Sequence, residues 1–414
     1  MGYREIEVMY DNGQTVSPVG TLASSGFTTI FEYNDSWVKR GIELSPFKLP
    51  TEKRTHLLDR KSMVASTFGL FADSLPDGWG TLIMDRWFTR QGIDRKDILP
   101  IDRLAFLGSH AMGALSYRPP LLKSKDDSAE AVSVGAIARQ AYKLYQGRIE
   151  DAGRLLAQIG GSPGGARPKA LIGISEDKST FVSGANILPD GFEQWLVKFT
   201  GESNRYDGVL EYIYNRMAKN AGIAVPEHIL TTDDKGVQHF ATRRFDRPTR
   251  NRRSHIATAC GLLYADYMAP SLDYIELMKV AWRLTSSVAQ AEEQFRRAVF
   301  NMYAVNRDDH SKNHGYIMSD EGKWELSPAY DLTFSTGPNG YHWTAYSGEA
   351  KNPVMANLLQ LAEAASINRK TALLVVDQVK SSISAFSQLG KEMEIPVKIN
   401  TPITKRLNLT IENC

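Results

Sequence analysis

A densely polar run interrupts the apolar second half of the chain and limits what that half can fold into. Arg307-Asp308-Asp309-His310-Ser311-Lys312-Asn313 carries six ionisable or amide side chains. It lies between a helical stripe (Ala291, Phe295, Ala298, Val299) and a β-like segment. Such density is expensive to bury without purpose, so a fold that keeps it there needs a use for it.

The elements around it change character along the chain. Residues 1 to about 50 read as β-structure: Ile6, Val8 and Tyr10 alternate, Asp11-Asn12-Gly13 marks a turn, and Phe27, Thr29, Phe31 and Tyr33 resume the alternation. Phe71 to Gly78 reads as a turn before a helix striped by Leu82, Ile83, Trp87 and Phe88. Pro119-Pro120 closes this unit, and Lys123 to Glu130 reads as a linker. A helix through Ile137, Ala141, Leu144 and Tyr145 follows, then a hairpin from Ala170 to Val182 and a strand over 195–199. Next come a helix from Asp207, as its N-cap, to Asn220, with Gly222 as its stop, and strands near 228–231 and 237–244. From about residue 257 helical periodicity takes over: Tyr274, Leu277, Val280, Ala281 and Leu284 form one stripe, and helices are expected over Met355 to Ala364 and Thr371 to Leu389. At 414 residues the chain exceeds one comfortable core. The expectation is an α+β protein with a β-rich unit at 1–122, an α/β unit at 123–256 and a mainly helical unit at 257–414.

Three side chains in the second half suggest phosphoryl transfer. Asp308 and Asn313 have the five-residue Asp-to-Asn spacing of the protein-kinase catalytic loop. Asp331 ends Leu326-Ser327-Pro328-Ala329-Tyr330-Asp331. An acid to accept a hydroxyl proton, an amide oxygen and a later acid for Mg²⁺ are the minimal set. Spacing favours Asp308 over Asp309 as the base. His310 and His314 stand four apart but in no H-E-x-x-H pattern, which argues against zinc.

Upstream, four glycines and Ser162 fall within residues 160–165, so backbone N–H groups can crowd an anion, and Arg167 and Lys169 add cations. Pro168 before the lysine and a strand after it exclude a Walker A loop, and an ordinary flexible loop has the same composition. Lys198 either snorkels from a sheet edge or reaches phosphates and pairs with a helix glutamate, for which Glu211 is placed.

Composition excludes more than it selects. Six arginines lie between 243 and 253 with Asp246 as the only acid, a run read as a solvated face rather than a polyanion site. Two cysteines, Cys260 and Cys414, make no disulfide framework and suit a reducing cytosol. No apolar run reaches the ~18 residues of a membrane span, and no signal-peptide core opens the chain. A cytoplasmic protein with no membrane partner is expected.

Taken together, these motifs resemble the HipA family, bacterial serine/threonine kinases that act as toxins of toxin–antitoxin pairs. The likeness covers the Phe71-to-Gly78 turn and its helix, Leu107-Gly108 through Gly113-Ala114, Gly161 to Lys169, Leu196-Val197-Lys198, Arg244-Phe245-Asp246-Arg247, Asp308 to Asn313, and Pro328 to Asp331. It implies a mixed α/β N-terminal domain of two subdomains followed by an all-helical C-terminal domain, working with ATP and Mg²⁺. Asp308 would be the base, Asn313 and Asp331 the Mg²⁺ ligands and Lys198 a phosphate contact. Gly164, Gly165, Ala166, Arg167, Pro168 and Lys169 would cover the nucleotide. Arg243, Arg244 and Phe245 would meet adenine through the backbone, and His310, Ser311, Lys312 and Tyr330 would line the site. Ser162 holds the position that the family autophosphorylates to expel the loop. The implied partners are a HipB-like helix-turn-helix antitoxin, DNA only through it, and a translation-related target such as an aminoacyl-tRNA synthetase. The loop here, Ser-Pro-Gly-Gly-Ala-Arg-Pro-Lys, departs from the family's better-known form, and Arg243 stands where a glutamate often does. Two alternatives remain: a weakly active corepressor that binds an antitoxin and operator DNA, supported by the basic run, and a small-molecule kinase.

Overall fold

A computed structural model describes residues 4–25, 28–59, 67–121, 129–147, 165, 167–184, 187–249 and 251–413. Ser162, Gly164 and Ala166, together with Phe27, Arg250, Cys414 and most of the expected linker, lie outside the described residues.

The first sheet follows the alternation of its apolar residues. Strands β1 (Glu5–Asp11), β2 (Val16–Ser25), β3 (Thr28–Tyr33), β4 (Thr55–Asp59) and β5 (Leu115–Arg118) pair in the order β4-β3-β2-β1-β5, all antiparallel. Ile6, Val8 and Tyr10 point inward, and Gly13 closes the β1–β2 turn at φ 83°. Pro18 sits in a central strand because the β1–β2 register shifts beside it, a place where a missing N–H is tolerated. Beyond Tyr33 the β-reading gives way to a short helix, Asp35–Arg40, capped by Asn34.

The second sheet holds β6 (Lys169–Ser175), β7 (Phe181–Ser183), β8 (Phe192–Lys198), β9 (His228–Thr232) and β10 (Gln238–Arg243), in the antiparallel order β7-β6-β8-β10-β9. Ala170, Ile172, Trp195 and Val197 bury one face against the helix Val134–Tyr145 and against Trp79 and Ile83 of the helix Gly78–Arg90. The helix Asp207–Asn220 packs on β10 and β9. Asp207 is not its N-cap: Tyr206 holds that position, and the Asp207 carboxylate instead pairs with Arg167.

The remaining chain is mainly helical. Helices Tyr274–Thr285, Val288–Tyr303, Met355–Ala364, Arg369–Ser384, Phe386–Glu392 and Val397–Asn413 make the bundle. The stretch expected as one helix from Thr371 to Leu389 divides at Ala385, where the chain bends and Phe386 meets Tyr214 edge-on at 6.2 Å. A last helix, Val397–Asn413, lies beyond the stripes read from sequence and carries Pro402 in its second turn. The bundle also carries a small antiparallel sheet of β11 (His255–Thr258), β13 (Gly315–Met318) and β14 (Trp324–Leu326), and a two-strand parallel pair of β12 (Leu272–Asp273) and β15 (Thr344–Ala345). One continuous apolar core joins the first sheet to the helical bundle, while the second sheet has its own.

The arginine-rich run differs most from its sequence reading. Arg244, Arg247 and Arg253 are buried. Asp246 accepts from Arg244 at 2.6 Å, Arg247 at 2.7 Å and the Gly113 backbone at 2.8 Å. Arg253 bonds Asp11 at 3.0 Å, and Arg252 pairs with Asp320. The run locks β1 and the Gly113 turn to the end of the second sheet, and every arginine of it among the described residues has an acidic partner or a backbone carbonyl. Burial opposes ionisation of Asp246, but Arg244 and Arg247 outweigh it and hold the carboxyl far below its usual range. A depressed folded-state pKa stabilises above the unfolded value and is lost below it. Asp246→Ala should therefore lower stability by about 3–5 kcal/mol at neutral pH, and the wild type should lose this contribution as pH falls below about 4. Urea denaturation of both proteins at pH 7 and at steps from about pH 4 down to about pH 2 checks both expectations, the contribution shrinking steadily as pH falls toward the folded value.

Candidate active site

Three adjacent strands set the floor of a cleft. Antiparallel register places Lys169 of β6 opposite Lys198 of β8, and Lys198 opposite Phe240 of β10. Their side chains line one cleft together with Leu171, Leu196 and Ile256. Lys169 is almost fully buried, and burial lowers its ammonium to about 8.

Lys198 contacts two carboxylates. Glu211, one turn into the helix Asp207–Asn220, stands 2.5 Å from its Nζ, and Asp331 pairs with it from the opposite wall. Burial disfavours the Lys198 charge, but Asp331 and Glu211 more than offset it and raise the ammonium. Burial raises Glu211, with Lys198 opposing. Asp331 is pulled down to about 2 because Lys198 and Lys169 overcome its burial. Its backbone is left-handed at φ 55°, a strained setting for a residue other than glycine that recurs at functional sites.

The polar run divides its two acids. Asp309 is buried and accepts from Tyr274 Oη at 2.9 Å, His342 Nδ1 at 3.0 Å and the Trp343 N–H at 2.8 Å. Burial opposes its ionisation, and the contact with His342 overrides burial and lowers it. His314 bonds the Asp309 carbonyl at 3.2 Å, so this histidine braces the loop. Asp308 is exposed beside the cleft. The walls around it still raise its carboxyl by desolvation, with His310 opposing and Asp331 and Asp309 adding. Asn313 Nδ2 donates to the Asp308 carbonyl at 2.7 Å, which turns its amide oxygen the other way.

Of the residues singled out from sequence, Gly165, Lys169, Lys198, Glu211, Arg243, Arg244, Phe245, His310, Lys312, Asn313, Tyr330 and Asp331 line the cleft. Tyr330 stacks on Phe245 at 5.7 Å and donates to the Lys312 carbonyl at 2.6 Å. Four others do not: Asp308 stands beside it, and three turn elsewhere. Arg167 turns out to Asp207, the Pro168 carbonyl accepts from the Phe199 N–H at 2.9 Å, and Ser311 Oγ donates to the Ala265 carbonyl at 3.2 Å. The N–H groups of Arg243 and Arg244 extend the sheet to Glu227 and Gln194, so a base contact must use other atoms of these residues. The sequence reading missed Asp73, Leu75, Asp77 and Met112, which enter the cleft from the first unit. Asp73 accepts from Thr258 N and Oγ1 at 2.6 and 2.7 Å, and burial raises it to about 6. Asp77 stands 2.5 Å from Lys312 across 235 positions of sequence, a separation that no local spacing can signal.

Among the described residues no group of three or more His, Cys, Asp or Glu forms a metal cage. Asn313 and Asp331 fit Mg²⁺, which keeps several waters and takes one or two protein oxygens alongside phosphates. The low pKa of Asp331 keeps that ligand ionised.

Residues 161–386 match the HipA-like C-terminal domain family, and residues 7–118 match the HipA N-terminal domain family. A HipA chain from Shewanella oneidensis, solved with HipB and operator DNA, superposes with a TM-score of 0.71 at 17% identity, over 98% of this chain and 96% of that one. A putative kinase, Y4dM, of Sinorhizobium fredii is 30% identical over 235 residues, 53% of this chain and 56% of that protein. The chain thus spans about half the length of this curated relative.

The two acids should separate in stability. Asp309→Ala strips a buried network of its acceptor and should cost about 3–5 kcal/mol, whereas Asp308→Ala should stay within about 0.5 kcal/mol of wild type. Equal losses in chemical denaturation would contradict this division of roles.

Proposed function

Because the chain belongs to the HipA family, we propose that it is an ATP- and Mg²⁺-dependent protein serine/threonine kinase. The observation that carries this reading is the exposed Asp308, set beside a cleft whose floor presents Lys169 and Lys198 and whose wall presents Asn313 and Asp331. ATP supplies the γ-phosphoryl group; Asn313 and Asp331 would hold Mg²⁺, which would neutralise charge on the phosphates. Asp308 takes the proton of the acceptor hydroxyl as its oxygen bonds to phosphorus, and ADP leaves. The raised carboxyl of Asp308 suits a base better than the depressed one of Asp309. Lys198 and Lys169 offset phosphate charge in a site drier than bulk water, where each contact is stronger. Little covalent help is needed for a loose phosphoryl transition state, so positioning and charge supply the rate.

The finer reading follows the family. The chain acts as the toxin of a toxin–antitoxin pair, phosphorylates a translation-related protein such as an aminoacyl-tRNA synthetase, and is restrained by a HipB-like antitoxin through which it meets DNA. The Shewanella protein was solved with such partners, which supports this assignment. Phosphorylation of Ser162 would then switch the enzyme off by displacing the loop that ends at Lys169.

Incubation with labelled ATP and Mg²⁺ tests both levels. Wild type should label itself, and Asp308→Ala should lower the rate by about 10²–10⁴-fold. Ser162→Ala should lose self-labelling yet keep transfer to an added acceptor. A wild type that binds no ATP would refute the kinase, and a self-labelling Ser162→Ala would refute the off-switch alone.

A further inference from the structure

Asp77 occupies the N-cap position of the helix Gly78–Arg90, yet its side chain makes no capping hydrogen bond. An aspartate there ordinarily accepts from its own helix's second or third N–H, a contact this residue forgoes. Instead, one carboxylate oxygen lies 2.5 Å from Lys312 Nζ, and the other accepts from the Gly165 N–H at 3.3 Å. Lys312 belongs to the polar run that bears Asp308, and Gly165 to the base of the glycine-rich loop. The first turn of the same helix adds two ties: the Trp79 N–H donates to the Gly165 carbonyl at 3.1 Å, and Trp79 Nε1 donates to the Lys169 carbonyl at 3.0 Å. Tyr267 holds Lys312 from another side, with the ammonium 4.2 Å from its ring centroid.

We infer that Asp77 is a positioning residue for nucleotide binding: its carboxylate fixes the Lys312 ammonium and the Gly165 backbone relative to each other, so that the first unit of the chain completes the phosphate site. The inference rests on the kinase reading. Lys312 has three N–H donors. Asp77 and the Tyr267 face restrain how it swings, and the rest of its charge is directed into the cleft it lines. Gly165 adopts φ 103°, and a Cβ there would meet Lys169 Nζ at 2.4 Å, so the loop base, the ammonium of Lys169 and Asp77 form one packed corner. A neutral side chain at 77 leaves Lys312 free to sample rotamers that do not face a phosphate. These contacts serve the bound nucleotide before and during transfer alike, so their loss belongs in KM rather than kcat.

The test is a double-mutant cycle in the full-length protein, with KM and kcat for ATP measured for wild type, Asp77→Asn, Lys312→Met and the double variant. Asparagine keeps an acceptor for the Gly165 N–H and loses only the charge. Asp77→Asn should raise KM for ATP by about tenfold while kcat changes less than about threefold, and the double variant should be no worse than Lys312→Met alone. Thermal midpoints within about 2 °C of one another would show that the effect is not unfolding. An unchanged KM in Asp77→Asn, a loss confined to kcat, or strictly additive losses would overturn the positioning role and leave the kinase reading intact. A wild type without nucleotide binding or transfer would overturn both.

Discussion

The buried ammonium of Lys198 between Glu211 and Asp331 is the interaction on which the cleft depends. It joins the second sheet, the helix beside it and the segment that follows the polar run. Lys198 and Glu211 are largely withdrawn from water while Asp331 keeps part of its surface exposed, and leaving either of the first two without its partner would be unfavourable. Lys169, adjacent on β6, brings this group to two cations and two anions, so its charges balance locally. An incoming polyphosphate would upset this balance by adding anions, which Lys198 can meet only by sharing its contact with Asp331.

Packing explains why the cleft lies where it does. The first sheet and the helical bundle share one apolar core, whereas the second sheet buries its own face on Trp79, Ile83 and the helix Val134–Tyr145. The cleft is the seam between these two bodies. Residues at the seam are tied by polar contacts: the Asp246 cluster at one end, Lys198 in the middle and Asp77 with Lys312 at the other. Backbone strain gathers there too. Val305, a β-branched residue, takes φ 51° just before the polar run, and Asp331 takes φ 55° just after it. The network around Asp309 supplies the rigidity that holds such a backbone in place.

Periodicity made most of this fold legible. The alternation of Ile6, Val8 and Tyr10 gave the first sheet its inward face, and the stripes at Tyr274 and Ala291 became buried helix faces. Errors arose where a local sign carries two meanings. Asp207 looked like a cap and six arginines like a solvated face, although Arg244, Arg247 and Arg253 turn inward around Asp246. The composition of a charge run cannot reveal its partners when those lie more than 130 residues away, as Gly113 does. The cleft was legible in part for the same reason. Lys198, Glu211, Asn313 and Asp331 announce themselves by spacing within their own halves of the chain. Asp73 and Asp77, from the turn before the helix Gly78–Arg90, and Met112, from the loop before β5, reach the cleft only through tertiary contacts, which no local spacing signals.

Asp308 and Asp309 show how one loop can give adjacent, chemically identical side chains opposite tasks. Asp309 turns inward, where an imidazole, a phenol and a backbone N–H compensate its buried charge and keep it ionised. An acid stabilised so well has little appetite for a proton. Asp308 faces outward and lacks such a shell; desolvation by the walls beside it raises its proton affinity, His310 opposes, and the negative charges of Asp331 and Asp309 add to the rise. Environments that drive two carboxyls apart in this way sort them into a structural anion and a candidate base. The sorting also couples them: the charge fixed on Asp309 helps raise Asp308, so the peg that anchors the loop also tunes its neighbour.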